Sequence, residues 1–482
     1  MSRYVGIDFG TTNSAIVEYS PANKIKPFRN IGDEDGSPIP SVISIDYLTN
    51  QINYGREAKN KLMKYHSTGD VLVVQSVKTA LASGKTWSTG ARIWTEEEIA
   101  TTLLKKLSEK YRETSAQKLP IREAVIAIPV GFPQNKRKLL RKAANEAHIT
   151  ISTFVSEPTA AFIAHSKELK HCRYVAVFDW GGGTLDISIL EINDGCIIER
   201  QTANWLVAGD EIDRRFAEWI HQKIIQEDGI LTPFDSVPTK EKQILLNEAE
   251  HHKKQLQEEK DTEVSLLNYL KKPRSLVVTQ TDFNALIQPI VERAIELLIQ
   301  SIEGAHISVN EIGKLIVVGG SSKLQLLQDM IHEKWLSPDI LFPENADWDV
   351  AKGAAILAAN PGCYRLAEHI GLVLADDQFH SIFKTRTDAS EANLKLHLGL
   401  VEEAESATFV FATQDPGTSL VQTIDEYSVD VFGFKNEVIE LRSVITSDLS
   451  FISRAMSGSK PRTLDYFEYN KLKWMYQIPD QI

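Results

Sequence analysis

Apolar positions along the chain fall into short β-branched runs and longer stretches with helical spacing. The first run, Val5-Gly6-Ile7-Asp8-Phe9, is followed by Gly10-Thr11-Thr12-Asn13 and then by Ser14-Ala15-Ile16-Val17. This pattern predicts two strands joined by a tight polar hairpin. Val175 to Asp179 and Leu185 to Leu190 repeat the design around Trp180-Gly181-Gly182-Gly183-Thr184. About one domain's length separates the two copies, the spacing that a duplicated domain gives.

Between the hairpins, Pro40 to Ile45 predicts a strand and Tyr54 to Lys59 the start of a helix. Val71 to Val77 is a β-branched stretch ending just before Lys78. Ala124 to Ile128 predicts a buried strand stopping at Pro129, and Gln134 to Ala147 a basic amphipathic helix with a solvated face. Val155-Ser156-Glu157-Pro158-Thr159-Ala160-Ala161 reads as a strand end turning into a small-residue helix, with Pro158 in its first turn. After the second hairpin, Ala208 to Asp213 opens an acidic helix start, and Thr239 to Asp261 is a highly charged segment with a thin apolar seam, the pattern of an exposed arm. Lys314 to Val318 predicts a buried parallel strand that breaks at Gly319-Gly320 into a helix. Asp349 to Ala355 predicts a closely packed small-residue helix. Beyond about residue 370 the pattern turns to β, in Ala407 to Phe411, Tyr427 to Phe432 and Glu437 to Ile452.

With 482 residues, 43% hydrophobic and 24% charged, the composition is that of a soluble globular protein of several domains. The net charge of −12 argues against a sequence-independent hold on nucleic acid. No apolar run reaches membrane-spanning length, and Met1-Ser2-Arg3 leads straight into the first strand without a signal-peptide pattern. Cys172, Cys196 and Cys363 have neither metal-type nor disulfide-type spacing, the expectation for a reduced, cytoplasmic protein.

The chemistry concentrates in the hairpins. A Gly/Thr turn directs backbone N–H groups and hydroxyls to one point, and Gly10, lacking a Cβ, lets an anion approach closely. Asp8, at the end of its strand, is placed to hold a hydrated cation beside that anion. Two such loops facing each other would grip a polyphosphate from both sides. Lys78 is either a solvated surface charge or a cation directed into that site. Glu157 either complements the dipole of its helix or aims its carboxylate into the cleft. No G-x-x-x-x-G-K-[ST] occurs, which excludes a P-loop.

The motifs GIDFGTTNS (6–14), the strand ending at Pro129, SEPTAA (156–161), FDWGGGTLD (178–186) and VVGGSS (317–322) occur in that order. Over about residues 3 to 370 the chain thereby resembles the ATPase domain of the 70-kDa heat-shock (DnaK-like) chaperone family, within the actin and sugar-kinase superfamily. The resemblance implies an α/β fold: a duplicated actin-like (ribonuclease-H-like) two-lobed ATPase, each lobe a five-stranded sheet with helices, followed by a small, mainly β C-terminal region. It divides the chain into lobe I (1–172), lobe II (173–370, with 239–261 in its upper subdomain), a candidate linker (371–377) and a β-rich C-terminal domain (378–482).

The implied cofactors are ATP or ADP and Mg2+. Asp8 and Asp179 would hold the metal through water, and Asp186 a nearby ion. Gly10, Thr11, Thr12 and Asn13, with Gly181, Gly182, Gly183 and Thr184, match the phosphate loops. Lys78 and Glu157 match the pair that orients water and γ-phosphate, with Asp179 and Thr184 completing the catalytic set. Gly209, Glu250, Lys253, Lys254, Gly319, Gly320, Ser321, Lys323 and Asp347 match the remaining nucleotide contacts.

Departures fall on the nucleoside side. The family usually stacks adenine between two arginines, whereas Lys254 and Lys323 occupy the aligned positions, and lysine has no planar guanidinium to stack on a base. Gln257 stands where a small hydroxyl residue is usual, and Ala208 replaces the first glycine of a pair. Weaker or less base-selective nucleotide binding is expected. Gly371-Leu372-Val373-Leu374-Ala375-Asp376 is either an interdomain linker or a core strand. Tyr466, Tyr469, Trp474 and Tyr476 either form a partner surface or pack internally, and no long helical lid follows. The implied function is slow ATP hydrolysis that couples nucleotide state to lobe movement and to binding of protein clients or a dedicated partner. Two alternatives are a nucleotide-dependent scaffold or switch with little turnover, and a metabolite kinase, which would need a carboxylate base over a substrate hydroxyl.

Overall fold

The computed structural model describes residues 3–23, 25–65, 71–89, 92–115, 117–169, 171–228, 232–335, 339–360, 364–399, 406–416, 420–430, 438–446, 449–457, 466–469 and 472–478. Cys363, Val431, Phe432, Glu437, Thr446's successors 447–448 and the chain end after 478 lie outside these residues.

Lobe I is built on the first hairpin. Strands β1 (Tyr4–Phe9) and β2 (Asn13–Tyr19) pair antiparallel, with β3 (Phe28–Ile31) beyond β2. Strand β4 (Glu123–Ile128) joins β1 in parallel, and β5 (Thr150–Ser156) joins β4. The order is β5-β4-β1-β2-β3, with Ile39–Pro40 alongside β2. Helix α1 (Gly55–Tyr65) stands on a small three-stranded sheet above the hairpin, while α2 (Gln134–Glu146) and α3 (Glu157–Leu169) cover opposite faces of the main sheet. Burial on both faces explains the uninterrupted apolar run Ala124–Ile128 in β4.

Lobe II repeats the plan. Strands β6 (Tyr174–Trp180), β7 (Leu185–Asn193) and β8 (Cys196–Trp205) form an antiparallel meander, and β9 (Ile312–Val318) joins β6 in parallel, followed by β10 (Asp339–Leu341). Helices α4 (Gly209–Asp228), α5 (Thr239–Gln255) and α6 (Gln280–Gly304) surround it. The charged segment expected as an exposed arm is mostly α5, and its seam is core: Leu245, Ala249 and Leu256 are fully buried. Helix α7 (Ala346–Ala358) then returns to lobe I, lying on β1 and β2 and crossing α3. The crossing is tight: a Cβ on Gly353 would lie 1.8 Å from the Ala160 carbonyl oxygen, so only glycine lets these helices meet.

After β11 (Tyr364–Leu366) the chain forms a β-sandwich from β12 (His369–Val373), β13 (Phe379–Phe383), β14 (Asn393–Leu398), β15 (Ser406–Gln414), β16 (Val421–Asp430), β17 (Ile439–Ile445), β18 (Phe451–Ser457) and β19 (Tyr466–Tyr469). Its sheets run β13-β12-β15-β16 and β14-β17-β18-β19. Phe411 and Phe467 stack between them at 4.1 Å, with Phe451 edge-on to both. Gly371–Val373 lie within β12, paired on both sides. Strand β20 (Trp474–Gln477) then leaves the sandwich and inserts between β8 and β11 in lobe II.

The lobe II sheet therefore has seven strands, β10-β9-β6-β7-β8-β20-β11, where the resemblance implied five. The physical reason is the open edge of β8, whose unpaired backbone groups are satisfied by the chain's own late strand. Trp474 and Tyr476 are packing residues, buried in a cluster that runs from Val175 and Val177 through Leu366 to Phe411 and Phe451, whereas Tyr466 is exposed. Among the described residues no helix follows α7.

Candidate functional site

The tips of the two hairpins touch. Asp8 closes β1 and Asp179 occupies the matching place in β6, paired across the sheet with Asp186. The second tip is anchored from behind: the amides of Gly209 and Asp210, at the start of α4, donate to the carbonyls of Gly181 and Gly182 at 3.2 and 2.7 Å, and Ser321 Oγ donates to Gly181 O at 2.8 Å. Thr12 Oγ1 reaches across the cleft to Asp210 Oδ1 at 3.2 Å. A Cβ on Gly182 would lie 1.9 Å from Thr12 Oγ1, and one on Gly183 2.8 Å from the Thr11 side chain. Glycine lets the second tip's backbone approach the Thr11 and Thr12 side chains of the first this closely, and the lobes stand closed on one another.

Lys78 lies at the floor of this cleft. The predicted strand stops at Val74, Ser76 turns the chain with a left-handed φ of 53°, and Lys78 sits in a short helical turn, Val77–Ala80. Of the two roles open to it, the buried one holds: it is 3% exposed, and its Nζ donates to Glu157 Oε1 at 2.5 Å. Glu157 begins α3 and is also buried.

Asp8, Asp179 and Asp186 complete an anionic cluster around this pair. Burial, followed by the charge of Glu157, pushes the Asp8 carboxyl up to about 7 despite the nearby ammonium of Lys78. Asp186 is likewise raised to about 7 by burial and by Glu157, although Thr184, Asn204 and the Val130 amide hydrogen-bond to it. Asp179 is raised well above its ordinary value by burial and by Glu157, Asp186 and Asp8. One ammonium does not balance four carboxylates in a buried cleft; the arrangement favours a cation.

The nucleoside-side residues lie in a different arrangement. Glu250, Lys253 and Lys254 share α5. Lys253 is engaged by Asp213 at 2.7 Å, while Glu250 accepts from Lys254 at 2.7 Å and from Lys59 of α1 at 2.6 Å. Lys323 pairs with Asp347 at 2.6 Å on the other side of the cleft. Gln257 Oε1 accepts from the Gln325 amide at 2.9 Å, tying the end of α5 to the helix Gln325–Lys334 that follows the Gly319-Gly320 turn. A cavity of about 190 Å³ opens above Thr11 and Thr12, between Lys59 and Ser76 of lobe I and Asp213, Asn247 and Glu250 of lobe II.

This geometry can be set beside known proteins. The sequence profile of the family described as Hsp70 protein matches residues 72–362. The chain belongs to the Hsp70 family. The chaperone protein DnaK of Thermosipho africanus (strain TCF52B) is 29% identical over 379 residues, covering 77% of this chain and 61% of that protein. The chain therefore spans about three fifths of the length of that curated relative.

Asp8 Oδ1 and Asp186 Oδ2 are buried oxygens with no hydrogen-bond partner, as a hydrated cation would leave them before it binds. Among the described residues no three acidic, histidine or cysteine side chains converge closely enough to form a direct cage. The fit is to an ion held through water and phosphate oxygens rather than by dedicated ligands. The family motifs do not mark several residues that shape the site: Asp210, Asp213, Lys59 and Glu199. Asp210 and Asp213 stand three apart just after Gly209, one helical turn, and that spacing is the only sequence signal for them.

Proposed function

We propose that this Hsp70-family chain binds ATP with Mg2+, hydrolyses it slowly, and couples nucleotide state to movement of its lobes and to binding of protein clients or a dedicated partner. The observation that carries the reading is the convergence of two Gly/Thr hairpin tips on a buried Lys78–Glu157 pair rimmed by Asp8, Asp179 and Asp186. Hydrolysis of a terminal phosphate needs positioning and charge neutralisation more than covalent chemistry. Backbone N–H groups of Gly10–Asn13 and Gly181–Thr184 would cradle the phosphates. Lys78 supplies positive charge toward the transferred group, and Glu157, held by Lys78, orients the attacking water and accepts its hydrogen bond. A bound Mg2+, held through water by Asp8 and Asp179, would neutralise phosphate charge.

Because the tips are in contact, a polyphosphate enters only when the lobes part, which supports coupling between nucleotide and lobe position. The ion-paired lysines at 254 and 323 support relaxed base recognition. They also favour the second reading, a switch with little turnover.

The experiment is calorimetric titration with Mg-ATP, Mg-ADP and Mg-GTP, on wild type and on Asp8→Ala/Asp179→Ala, alongside phosphate release. Binding that the double substitution weakens, slow release by wild type, and an ATP preference over GTP below about tenfold are expected, a stacked cation being worth about 1 kcal/mol. Binding without release establishes the switch; no binding of any nucleotide sinks both readings.

A further inference from the structure

Strand β8 carries a bulge whose two charged residues reach different bodies. Ile189 pairs with Gln201 but Leu190 with Glu199, so Arg200 is an extra residue in the strand. A bulge locally bends a strand and re-aims its side chains. Glu199 reaches lobe I: its Oε1 accepts from Ser156 Oγ at 2.5 Å and from the Thr159 hydroxyl. Arg200 bonds Glu191 within its own sheet and lies 3.6 Å from Asp415 of the sandwich.

Ser156 and Thr159 flank Glu157, the first residue of α3. Ser156 Oγ also accepts from the Thr159 amide at 3.3 Å, so Glu199 holds both ends of that turn. A carboxylate at the first turn of a helix is favoured by the helix dipole as well. The strand that bears Glu199 is itself gripped: Cys196, Ile197 and Ile198 pair with Gln477, Tyr476 and Met475 of β20. Lys78 bonds Glu157 at the carboxylate; the turn that carries Glu157 follows the β4–β5 ladder, which ends at Ser156, and its side-chain hydroxyls are held from the Glu199 side.

We propose that Glu199 is a positioning residue for hydrolysis: it sets the first turn of α3, and so the Glu157 carboxylate, and ties that turn to the strand that the C-terminal sandwich holds. This rests on the ATPase reading above. Glu199 acts through Ser156 and Thr159 rather than on the reacting atoms. A displacement of about 1 Å at such a turn is enough to cost a large factor in rate while leaving phosphate and metal contacts in place.

The test uses the full chain with Glu199→Ala, Glu199→Gln and Arg200→Gln, measuring single-turnover phosphate release, Mg-ATP affinity and hydrogen exchange at residues 156–161. Glu199→Ala should lower the hydrolysis rate roughly tenfold or more with affinity within about twofold of wild type. It should also speed exchange in that segment. Glu199→Gln, whose amide oxygen accepts the same two bonds, should restore most of the rate, and Arg200→Gln should fall between. Wild-type turnover in Glu199→Ala overturns the proposal. So does a parallel loss of rate, affinity and melting temperature that glutamine does not rescue, because that is the mark of a residue needed only for folding. A wild type that binds but never hydrolyses removes the ATPase reading instead; unchanged exchange at 156–161 in Glu199→Ala then overturns the tie itself, and selective loss of protection there upholds it.

Discussion

At the scale of single residues, the decisive contact is Lys78 with Glu157. Both side chains are out of water, so each is tolerable only because of the other. Lys78→Ala leaves Glu157 buried among three further carboxylates. Chemical denaturation should register a loss of about 3–5 kcal/mol if the site stays dry, and less if water enters. Single-turnover hydrolysis should fall by about 10²–10³, the scale for removing one preorganised charge from a transition state. Unchanged hydrolysis would remove Lys78 from the mechanism. Glu157 and Asp8 were legible in the sequence because glycine, proline and carboxylate sit at fixed offsets in contiguous motifs, whereas Lys78, in none of them, stood out only by following a β-branched stretch. Glu199 was not. Its partners stand some forty positions away, and the bulge that aims it depends on how β7 and β8 register, which no local pattern records.

At the scale of elements, α1 and α5 are joined across the cleft by Lys59 and Glu250. Burial alone would raise the Glu250 carboxyl, but the ammonium groups of Lys59 and Lys254 hold it down at about 2. A folded-state value below the unfolded one means that the pair's contribution is present above the ordinary glutamate range and is lost as pH falls toward the folded value. With both side chains a fifth to a quarter exposed, the contribution is of the order of 1 kcal/mol. Thermal unfolding of wild type against Glu250→Gln should therefore differ at about pH 6, narrow below the ordinary glutamate range and converge only as the pH falls through about 2, with the difference reduced by salt. A gap that widens in acid would contradict the assignment. The sequence announced the hairpins, the strand before Pro129 and the small-residue helices, since each has a period or a breaker of its own. It misread α5 as an exposed arm because a thin seam of Leu245, Ala249 and Leu256 is enough to bury one face when α4 supplies the other. It also ran Val71–Val77 into one segment, because nothing in the identity of Ser76 announces a left-handed turn.

At the scale of the whole molecule, the C-terminal sandwich is built into lobe II. Tyr476 pairs with Ile197 in β8 and with Tyr364 in β11, and its ring packs edge-on against that of Tyr364 at 5.0 Å. The buried cluster is continuous from the lobe II strands to Phe451 at the centre of the sandwich. Chains of several domains commonly unfold in several steps, because few contacts cross their boundaries. Here the boundary is crossed by a backbone ladder and by shared core, so lobe II and the sandwich should unfold as one cooperative unit. Calorimetry should show a single transition for the two, and Tyr476→Ala, at a cost of about 3–5 kcal/mol, should lower it without splitting it. Saturating Mg-ATP should raise the same transition, since a ligand held by the lobes stabilises whatever unfolds with them. If hydrogen exchange in the sandwich strands β17 and β18 instead showed them melting apart from the lobes and ignoring nucleotide, β20 would be a passive edge cover. The route from sandwich to β8 to Glu157 would then have no mechanical basis.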